Sequence, residues 1–157
     1  MFENHKTETL SQIAVSVFRL NGELIEWGNH FARPLGITSA RWQVLGAIDM
    51  CPRSAPPNIP QIGATMGITR QGVLKQINLL VQEGLVEALP NPHHKRSPLY
   101  RLTEEGSRIL QQLHTQWEAH LASILSDLST EDLETTQRVL TTLSQHHTGG
   151  AQPDPEN

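Results

Sequence analysis

The sequence predicts a mainly α-helical chain that carries one small β-hairpin. Three observations predict this fold class. Apolar residues recur every three or four positions near both ends of the chain, which is the helical period. Short helical segments separated by glycines fill the middle. After Gly84 the apolar period changes from about 3.6 to 2, the period of a strand.

The composition suits one domain or one domain with an extended oligomerisation element, since the chain has 157 residues. The single cysteine, Cys51, excludes an intrachain disulfide framework and a cysteine-based zinc site. The start lacks a basic segment followed by an apolar one, and no apolar run approaches the roughly 20 residues of a membrane span. We therefore expect a soluble cytoplasmic protein with no membrane segment.

Two long helical regions are predicted at the ends of the chain. The first has an apolar seam in heptad spacing: Leu10, Ile13, Val17, Leu20, Leu24, Trp27 and Phe31. Pro34 and Gly36 end that helix. The second seam follows an N-cap at Thr103: Leu110, Leu113, Trp117, Leu121, Ile124 and Leu128. Ser129 begins a last helix, and residues 147–157 are expected to be a disordered tail.

The middle of the chain is predicted to hold three short helices and a hairpin. Thr38 or Ser39 caps "SARWQVLGAI", and "IPQIGATM" ends at Gly67. Thr69 caps the third helix, which Gly84 closes. The extended runs "LVEAL" and "PLYRLT" follow, joined by a proline-flanked loop. Two helices around a tight glycine turn, followed by a hairpin, predict a winged helix-turn-helix over residues 35–103. Long helical regions flank it at 1–34 and 104–146, and their apolar seams need other helices or another subunit to cover them.

The charge distribution indicates a polyanion-facing surface. Residues 53–101 carry six Lys or Arg against two Glu, a net charge of +4, although the whole chain is −4. A basic centre between acidic flanks favours a partner such as nucleic acid, because a uniformly acidic surface would repel phosphate. Chance clustering is the alternative interpretation.

The helix that begins after Thr69 has the pattern of a recognition helix. A major groove about 12 Å wide admits one helix that is apolar on its inner face and polar outside. The inner face is predicted to be Val73, Ile77 and Leu80, whereas Arg70, Gln71 and Lys75 suit base edges and phosphates. Thr69 and the first turn can hold a phosphate. Gly72 either lets the backbone approach DNA or is a tolerated glycine on a solvated face.

These residues resemble the DNA-binding core of the MarR family of bacterial transcription regulators. The resemblance covers roughly residues 8–145 and is most specific at the exit of the wing. The matching pieces are the turn at 67–69, Val73 and Leu80, the segment 83–86, Asn91-Pro92, Arg96, Leu102-Thr103 and Gly106. The segment "LGITSARWQVL" resembles the family's second helix.

The resemblance implies a homodimer, joined by dimerisation helices at residues 1–34 and 104–146, with two winged heads on a pseudo-palindromic operator. The expected DNA contacts are Ser39, Arg41, Thr69, Arg70, Gln71, Gly72, Lys75, Gln76, His93, His94, Lys95 and Arg96. Arg96 is expected in the minor groove and Lys95 on phosphate. The expected dimer contacts are Leu10, Ile13, Val17, Leu110, Leu113, Trp117, Leu121 and Leu140. His94 departs from the family, which usually has an aspartate there to brace neighbouring basic groups.

An effector cleft is also implied, between the long helices and the winged head. Its expected residues are Trp27, Phe31, Arg33 and Trp42, although both tryptophans also fit the apolar seams and a purely structural role. Cys51 is either a redox sensor near Arg53 or a packed side chain at the end of a helix.

Other function classes have little support in the sequence. Adjacent histidines such as His93 and His94 point to opposite sides and chelate poorly, and neither HExxH nor Cys-rich spacing occurs. There is no glycine-rich phosphate loop and no nucleophile elbow, so we expect neither a cofactor nor an enzyme. The sequence thus predicts a DNA-binding repressor released by a small-molecule or redox signal. The alternative is a winged-helix interaction module whose basic face binds an acidic protein.

Overall fold

A computed structural model describes residues 2–148, with side chains from residue 4 onward. The helices and strands follow in this order: α1 (Phe2–Ala32), a 3-10 turn (Arg33–Leu35), α2 (Ser39–Asp49), α3 (Ile59–Met66), α4 (Arg70–Gln82), β1 (Val86–Leu89), β2 (Leu99–Leu102), α5 (Glu104–Ala122), a second 3-10 turn (Leu125–Asp127) and α6 (Thr130–His147). The predicted class, mainly α with a small β-wing, is confirmed.

The chain divides into two compact units, one ending at Leu113 and the other beginning at His114. The core of the first unit is aliphatic, and it is built from these buried side chains: Ala32, Ile37, Val44, Leu45, Ala47, Ile48, Ile62, Val73, Ile77, Leu80, Leu85, Val86, Tyr100, Ile109, Leu110 and Leu113. Removing these side chains from water drives the packing of α2, α3 and α4 on the hairpin and on the start of α5.

Side-chain caps fix where the short helices begin. Thr38, not Ser39, caps α2 by accepting a hydrogen bond from Arg41 N. Thr69 caps α4 through Gly72 N at 3.1 Å, as predicted. Asn58 and Gln61 form a reciprocal capping box at the start of α3, a cap that was not predicted. Each cap satisfies backbone N–H groups that have no partner within the helix.

Two left-handed glycines shape the turns around α4. Gly67 ends α3 with φ of +65°, and Gly84 follows α4 with φ of +72°. Only glycine adopts these angles without steric cost, so both turns were predictable from the residue type. They set the direction in which α4 leaves α3 and in which the chain enters β1.

The wing is a two-stranded antiparallel hairpin in which Val86 pairs with Leu102 and Leu89 pairs with Leu99. Its inner side carries the buried Val86 and Tyr100. Tyr100 N also donates to Pro57 O at 2.9 Å, which joins β2 to the loop before α3. The hairpin is therefore held through its inner side and through the hydrogen bond from β2 to the loop before α3, while its tip is exposed.

The junction between the wing and α5 is unusually close. Thr103 Oγ1 donates to Gly84 O at 2.7 Å and accepts from Gly106 N at 3.0 Å, which confirms Thr103 as a cap. Thr103 N donates to Leu85 O at 3.0 Å. A Cβ placed on Gly106 would lie only 2.0 Å from Leu85 O. The start of α5 therefore rests directly on the backbone between α4 and β1.

The end of α5 differs from the prediction. The helix ends at Ala122, so Ile124 and Leu128 of the predicted seam lie beyond it. Ser123 N and Ser123 Oγ both donate to His120 O, at 3.1 and 2.6 Å, which tightens the last turn. Hydrogen bonds of this i to i−3 type replace the α-helical ladder there.

In the second unit α6 begins at the predicted cap, where Ser129 Oγ accepts from Asp132 N at 3.1 Å. The helix continues through His147, so the predicted tail starts later than residue 147. Residues 149–157, the remainder of that predicted tail, lie outside the described residues. The described side chains of α6 are exposed or half-buried.

Candidate nucleic-acid interface

Helix α4 presents a polar face outward and an apolar face inward. Val73, Ile77 and Leu80 are buried in the core, as their spacing predicted. The side chains of Arg70, Gln71 and Lys75 are exposed, and Gln76 is half-buried. The helix is therefore held by one face and offers hydrogen-bond donors on the other, which is what a groove-binding helix requires.

Gly72 has a local structural role that neither interpretation of the sequence included. A Cβ at this position would lie 3.0 Å from Ile68 Cγ2 and 3.1 Å from Thr69 Oγ1. The same Thr69 Oγ1 accepts the hydrogen bond from Gly72 N. The missing side chain therefore leaves room for the cap of α4, whatever else approaches the helix from outside.

The tip of the wing is a turn that displays two cations. Ser97 N donates to His94 O at 2.9 Å, so Lys95 and Arg96 occupy the two central positions of this turn. Both side chains are exposed. His93 and His94 are also exposed and precede them. All four predicted wing residues thus lie together at the tip.

Asn91 organises this tip. Its Oδ1 accepts from His93 N at 3.0 Å and from His94 N at 3.3 Å, and its Nδ2 donates to Ser97 O at 2.8 Å. One carboxamide therefore ties both sides of the loop, a role for which the sequence analysis offered no residue. An asparagine in a hairpin loop could have indicated this role, because the Asn side chain readily forms a hydrogen bond with the backbone two residues later.

We expect Asn91→Ala to loosen the wing tip without unfolding the chain. Three hydrogen bonds disappear, each worth about 1 kcal/mol, but the site is only half-buried. The amides of His93, His94 and Ser97 should exchange faster with solvent, whereas those of β1 and β2 should keep their protection. Equal exchange at the tip in both proteins would show that Asn91 does not hold it.

Ion pairs neutralise both acids of the basic segment. Arg41 Nη1 donates to the carboxylate of Glu83, and Arg101 Nη2 lies 2.8 Å from Glu87 Oε1 across the hairpin. Within the described residues, the exposed cations of α4 and of the wing tip have no ion-pair partner: Arg70, Lys75, Lys95 and Arg96. Four of the five unpaired cations in residues 53–101 thus lie on α4 and the tip, and the fifth is Arg53 in the loop after α2.

The start of α5 is acidic but its charges are partly paired. Arg108 donates to Glu105 through Nε at 2.7 Å and through Nη2 at 2.6 Å. The side-chain hydrogen bond from Arg108 lowers the pKa of the Glu105 carboxyl below its ordinary value. Glu105 therefore stays ionised, and Arg108 is occupied rather than available for a phosphate.

Two predicted DNA contacts have other surroundings in the structure. Ser39 is only 5% exposed, its N donates to Asn29 Oδ1 at 2.8 Å, and a bulky partner cannot reach it. We therefore remove Ser39 from the expected contacts. Arg41 is occupied by Glu83, so its guanidinium is not free for a phosphate. The sequence could not reveal either fact, because both depend on residues distant in the chain.

Three of the four predicted effector residues, Trp27, Phe31 and Trp42, form an aromatic stack. The ring centroids of Trp27 and Phe31 are 4.5 Å apart, and those of Phe31 and Trp42 are 5.4 Å apart. This stack packs α1 against α2, which supports the structural role of both tryptophans. Arg33 is exposed.

Two cavities lie elsewhere in the first unit. One of about 40 Å³ is bordered by the loop after α2, including Cys51 and Arg53, and by Tyr100 of β2. Another of about 430 Å³ is bordered by Arg53, Arg101 and the start of α5. Burial raises the pKa of the Tyr100 hydroxyl, so it stays protonated at neutral pH. Cys51 is half-buried, and its Sγ donates to Ala47 O at 3.6 Å.

The predicted dimer residues fall into two groups. Leu10, Val17 and Leu140 are exposed, and Ile13, Trp117 and Leu121 are half-buried, so all six keep apolar surface for a partner. Leu110 and Leu113 are at most 2% exposed within one chain. The prediction for these two residues is therefore revised, because the core of their own unit already covers them.

Residues 2–148 contain neither a metal-binding cluster nor a membrane-spanning helix. No cluster of three or more His, Cys, Asp or Glu side chains between residues 2 and 148 has a geometry that could hold a metal ion. In the same part of the chain, no helix has the length and apolar character needed to cross a bilayer.

Comparisons with known proteins agree with this geometry. The sequence pattern of the MarR family matches residues 35–97. An uncharacterised Mycobacterium tuberculosis protein, Rv2011c, is 38% identical over 107 residues, which are 68% of this chain and 72% of that one. The crystal structure of a MarR family transcription regulator superposes with a TM-score of 0.75 at 24% identity, covering 94% of this chain and 96% of that one.

A second similar solved structure contains bound DNA. It is a mutant of the Escherichia coli protein MarR in complex with operator DNA. The TM-score is 0.71 at 26% identity, and the match covers 84% of this chain and 93% of that one. The overall fold is thus similar to that of a protein whose crystal structure includes operator DNA.

Proposed function

The chain belongs to the MarR family of transcription regulators, which are not enzymes, and from that premise we propose that it binds a specific sequence of double-stranded DNA and represses transcription there. In this proposal α4 lies in the major groove and the wing tip reaches the adjacent minor groove. Occupation of the site excludes the transcription machinery from a promoter.

The observation that carries the proposal is the placement of uncompensated charge. Arg70 and Lys75 on α4 and Lys95 and Arg96 on the tip have no ion-pair partner in the described part of the chain. Internal pairs neutralise the two acids of the same segment. An exposed helix face and a projecting hairpin that are both cationic suit the grooves and backbone of a duplex. The E. coli relative bound to operator DNA supports the same interpretation.

We further propose that two copies act together, with dimerisation helices at residues 1–34 and 104–146. Seven apolar side chains of α1 are at least 40% exposed: Leu10, Val15, Val17, Phe18, Leu20, Leu24 and Ile25. An apolar surface of this extent on one helix favours burial against a partner. Two-fold symmetry with one major groove per head implies half-sites about 10 bp apart, centre to centre.

Selection from a library of random duplexes, followed by titration of the preferred duplex across a salt series, tests DNA binding. The affinity should fall steeply with salt, by close to one log–log unit for each phosphate neutralised. An enriched sequence with two inverted half-sites would support the dimer on DNA. If no duplex is preferred and the affinity ignores salt, the proposal fails, and an acidic protein becomes the better candidate partner for the same surface.

The dimer can be tested with Val17→Asp. Val17 is 41% exposed in one chain, so a carboxylate there costs the isolated fold little. At a buried dimer interface the same charge is costly, and we expect dissociation in sedimentation experiments together with weaker DNA binding. Gln12→Asp on the same helix provides the control for added charge. A Val17→Asp protein that remains a dimer would exclude Val17 from the interface.

A release signal completes the proposal. A small molecule or an oxidant would act by changing the separation of the two heads, and neither cavity described above identifies its chemistry. Isothermal titration of candidate effectors against the protein–DNA complex, with Cys51→Ser as the comparison for oxidants, would test for such a signal. An unchanged DNA affinity under oxidation in both proteins would exclude Cys51 as the sensor.

A further inference from the structure

Arg41 and Glu83 connect the start of α2 to the end of α4. Arg41 is in the first turn of α2, and Glu83, 42 positions later, is the C-cap residue that directly follows α4. Arg41 Nη1 donates to the Glu83 carboxylate, while Arg41 Nε donates to Thr38 Oγ1 at 3.4 Å. The guanidinium is thus anchored at both sides and has a defined direction.

The surroundings of this pair make it stronger than an ordinary surface ion pair. The side chain of Arg41 is 15% exposed and that of Glu83 is 40% exposed, so water screens the cation only in part. A carboxylate at the C-terminal end of a helix is disfavoured by the helix dipole. Glu83 therefore destabilises α4 on its own, and its contribution to the fold comes through Arg41.

We propose that the Arg41–Glu83 pair is a brace that sets the orientation of the recognition helix, and that Arg41 is a positioning residue rather than a DNA contact. Helix α2 packs directly against α4, so the contact between them determines how α4 projects from the unit. The pair fixes the end of α4 that is opposite to its Thr69 cap. This inference rests on the proposed function, because the purpose of the orientation is to fit a groove.

The expected size of the effect follows from the size of the interaction. Without the brace, α4 can still reach the binding orientation, but only at the cost of the stabilisation that the pair supplied. Ordinary surface ion pairs contribute little and this one is only partly shielded from water, so we expect a moderate fall in DNA affinity, roughly two- to five-fold. Phosphate contacts are unchanged, and the salt dependence should therefore keep its slope.

The direction in which Glu83→Gln changes the DNA affinity distinguishes a positioning role of Arg41 from a direct DNA contact. A brace predicts weaker binding, although a negative charge has been removed. A direct contact predicts equal or tighter binding, because Arg41 is released toward the DNA. Glu87→Gln is the matched control: Glu87 is 44% exposed and also belongs to an ion pair, but that pair joins the two strands of the wing and does not hold α4.

The double variant Arg41→Gln/Glu83→Gln excludes a simple charge effect, since its net charge equals that of the wild type. The brace predicts that the double variant binds DNA roughly two- to five-fold more weakly than the wild type. Its loss of binding free energy should not exceed the sum of the losses in the two single variants, and its salt slope should equal that of the wild type. An affinity equal to the wild type would overturn the proposal. A salt slope lower by about one unit in Arg41→Gln alone would also overturn it, because Arg41 would then contact a phosphate.

Measurements without DNA keep the brace distinguishable from the proposed function. Should the wild type prefer no duplex, the proposed function fails while the brace remains testable. Two results would support the brace. The α4 amides should exchange faster in Glu83→Gln than in Glu87→Gln. The shifts in unfolding temperature caused by the changes at positions 41 and 83 should be non-additive in the double variant. Unchanged exchange and additive thermal shifts would overturn it.

Discussion

Gly106→Ala is expected to destabilise the chain by about 3 kcal/mol or more, the range of severe overpacking. The new Cβ would lie 2.0 Å from Leu85 O and 2.9 Å from Leu85 C, and both are backbone atoms that no rotamer change can move. Relief requires α5 to lift away from the turn between α4 and β1. That movement would break the hydrogen bonds of Thr103 to Gly84 O and Leu85 O.

Thermal and denaturant unfolding measure this effect, and Gly46→Ala is the matched control. Gly46 lies inside α2, and a Cβ there would meet nothing within 4 Å. The control should stabilise the protein by up to about 1 kcal/mol, because alanine is the better helix former. Two variants with the same chemical change thus have opposite expected signs. Similar unfolding midpoints for both would contradict the described contact between Leu85 and Gly106.

Replacing both cations of the wing tip should weaken DNA binding at least about tenfold near physiological salt. Lys95→Ala/Arg96→Ala removes two exposed, unpaired charges from the turn that Asn91 holds. The log–log salt slope should also fall by about one to two units, since each cation accounts for about one phosphate contact. Oligomeric state and unfolding midpoint should not change, because neither side chain packs on the core.

The control for this variant removes the same charge elsewhere. Arg108→Ala/Arg138→Ala also lowers the net charge by two, but Arg108 lies on α5 and Arg138 on α6, away from α4 and the wing tip in the sequence. A change in non-specific attraction would affect both double variants alike. Only the wing variant should lose affinity for the preferred duplex. Equal losses would show that total charge, and not the tip, determines the affinity.

Local signals allowed much of the fold to be predicted. Thr69, Thr103 and Ser129 were identified as helix caps because their residue type and position suffice to indicate one. Gly67 and Gly84 marked the turns around α4 for the same reason. The change of apolar period after Gly84 located the hairpin. Each of these features depends on residues within a few positions of one another.

Features that join distant parts of the chain were not predictable. Nothing near Arg41 in the sequence indicates that Glu83 will occupy it, and a cation in a DNA-binding domain favours a phosphate contact by default. The seam through Leu110 and Leu113 correctly indicated an apolar face. The period of a seam does not say what covers it, and here it is the core of the same unit.

Asn91, the residue that holds the wing tip together, carries no charge, and this affects how the tip behaves in acid. A carboxylate in that role would take up a proton and release its partners as the pH falls, whereas the carboxamide of Asn91 and the backbone groups it binds do not titrate. The backbone conformation of this loop is thus held by groups whose charge does not change with pH.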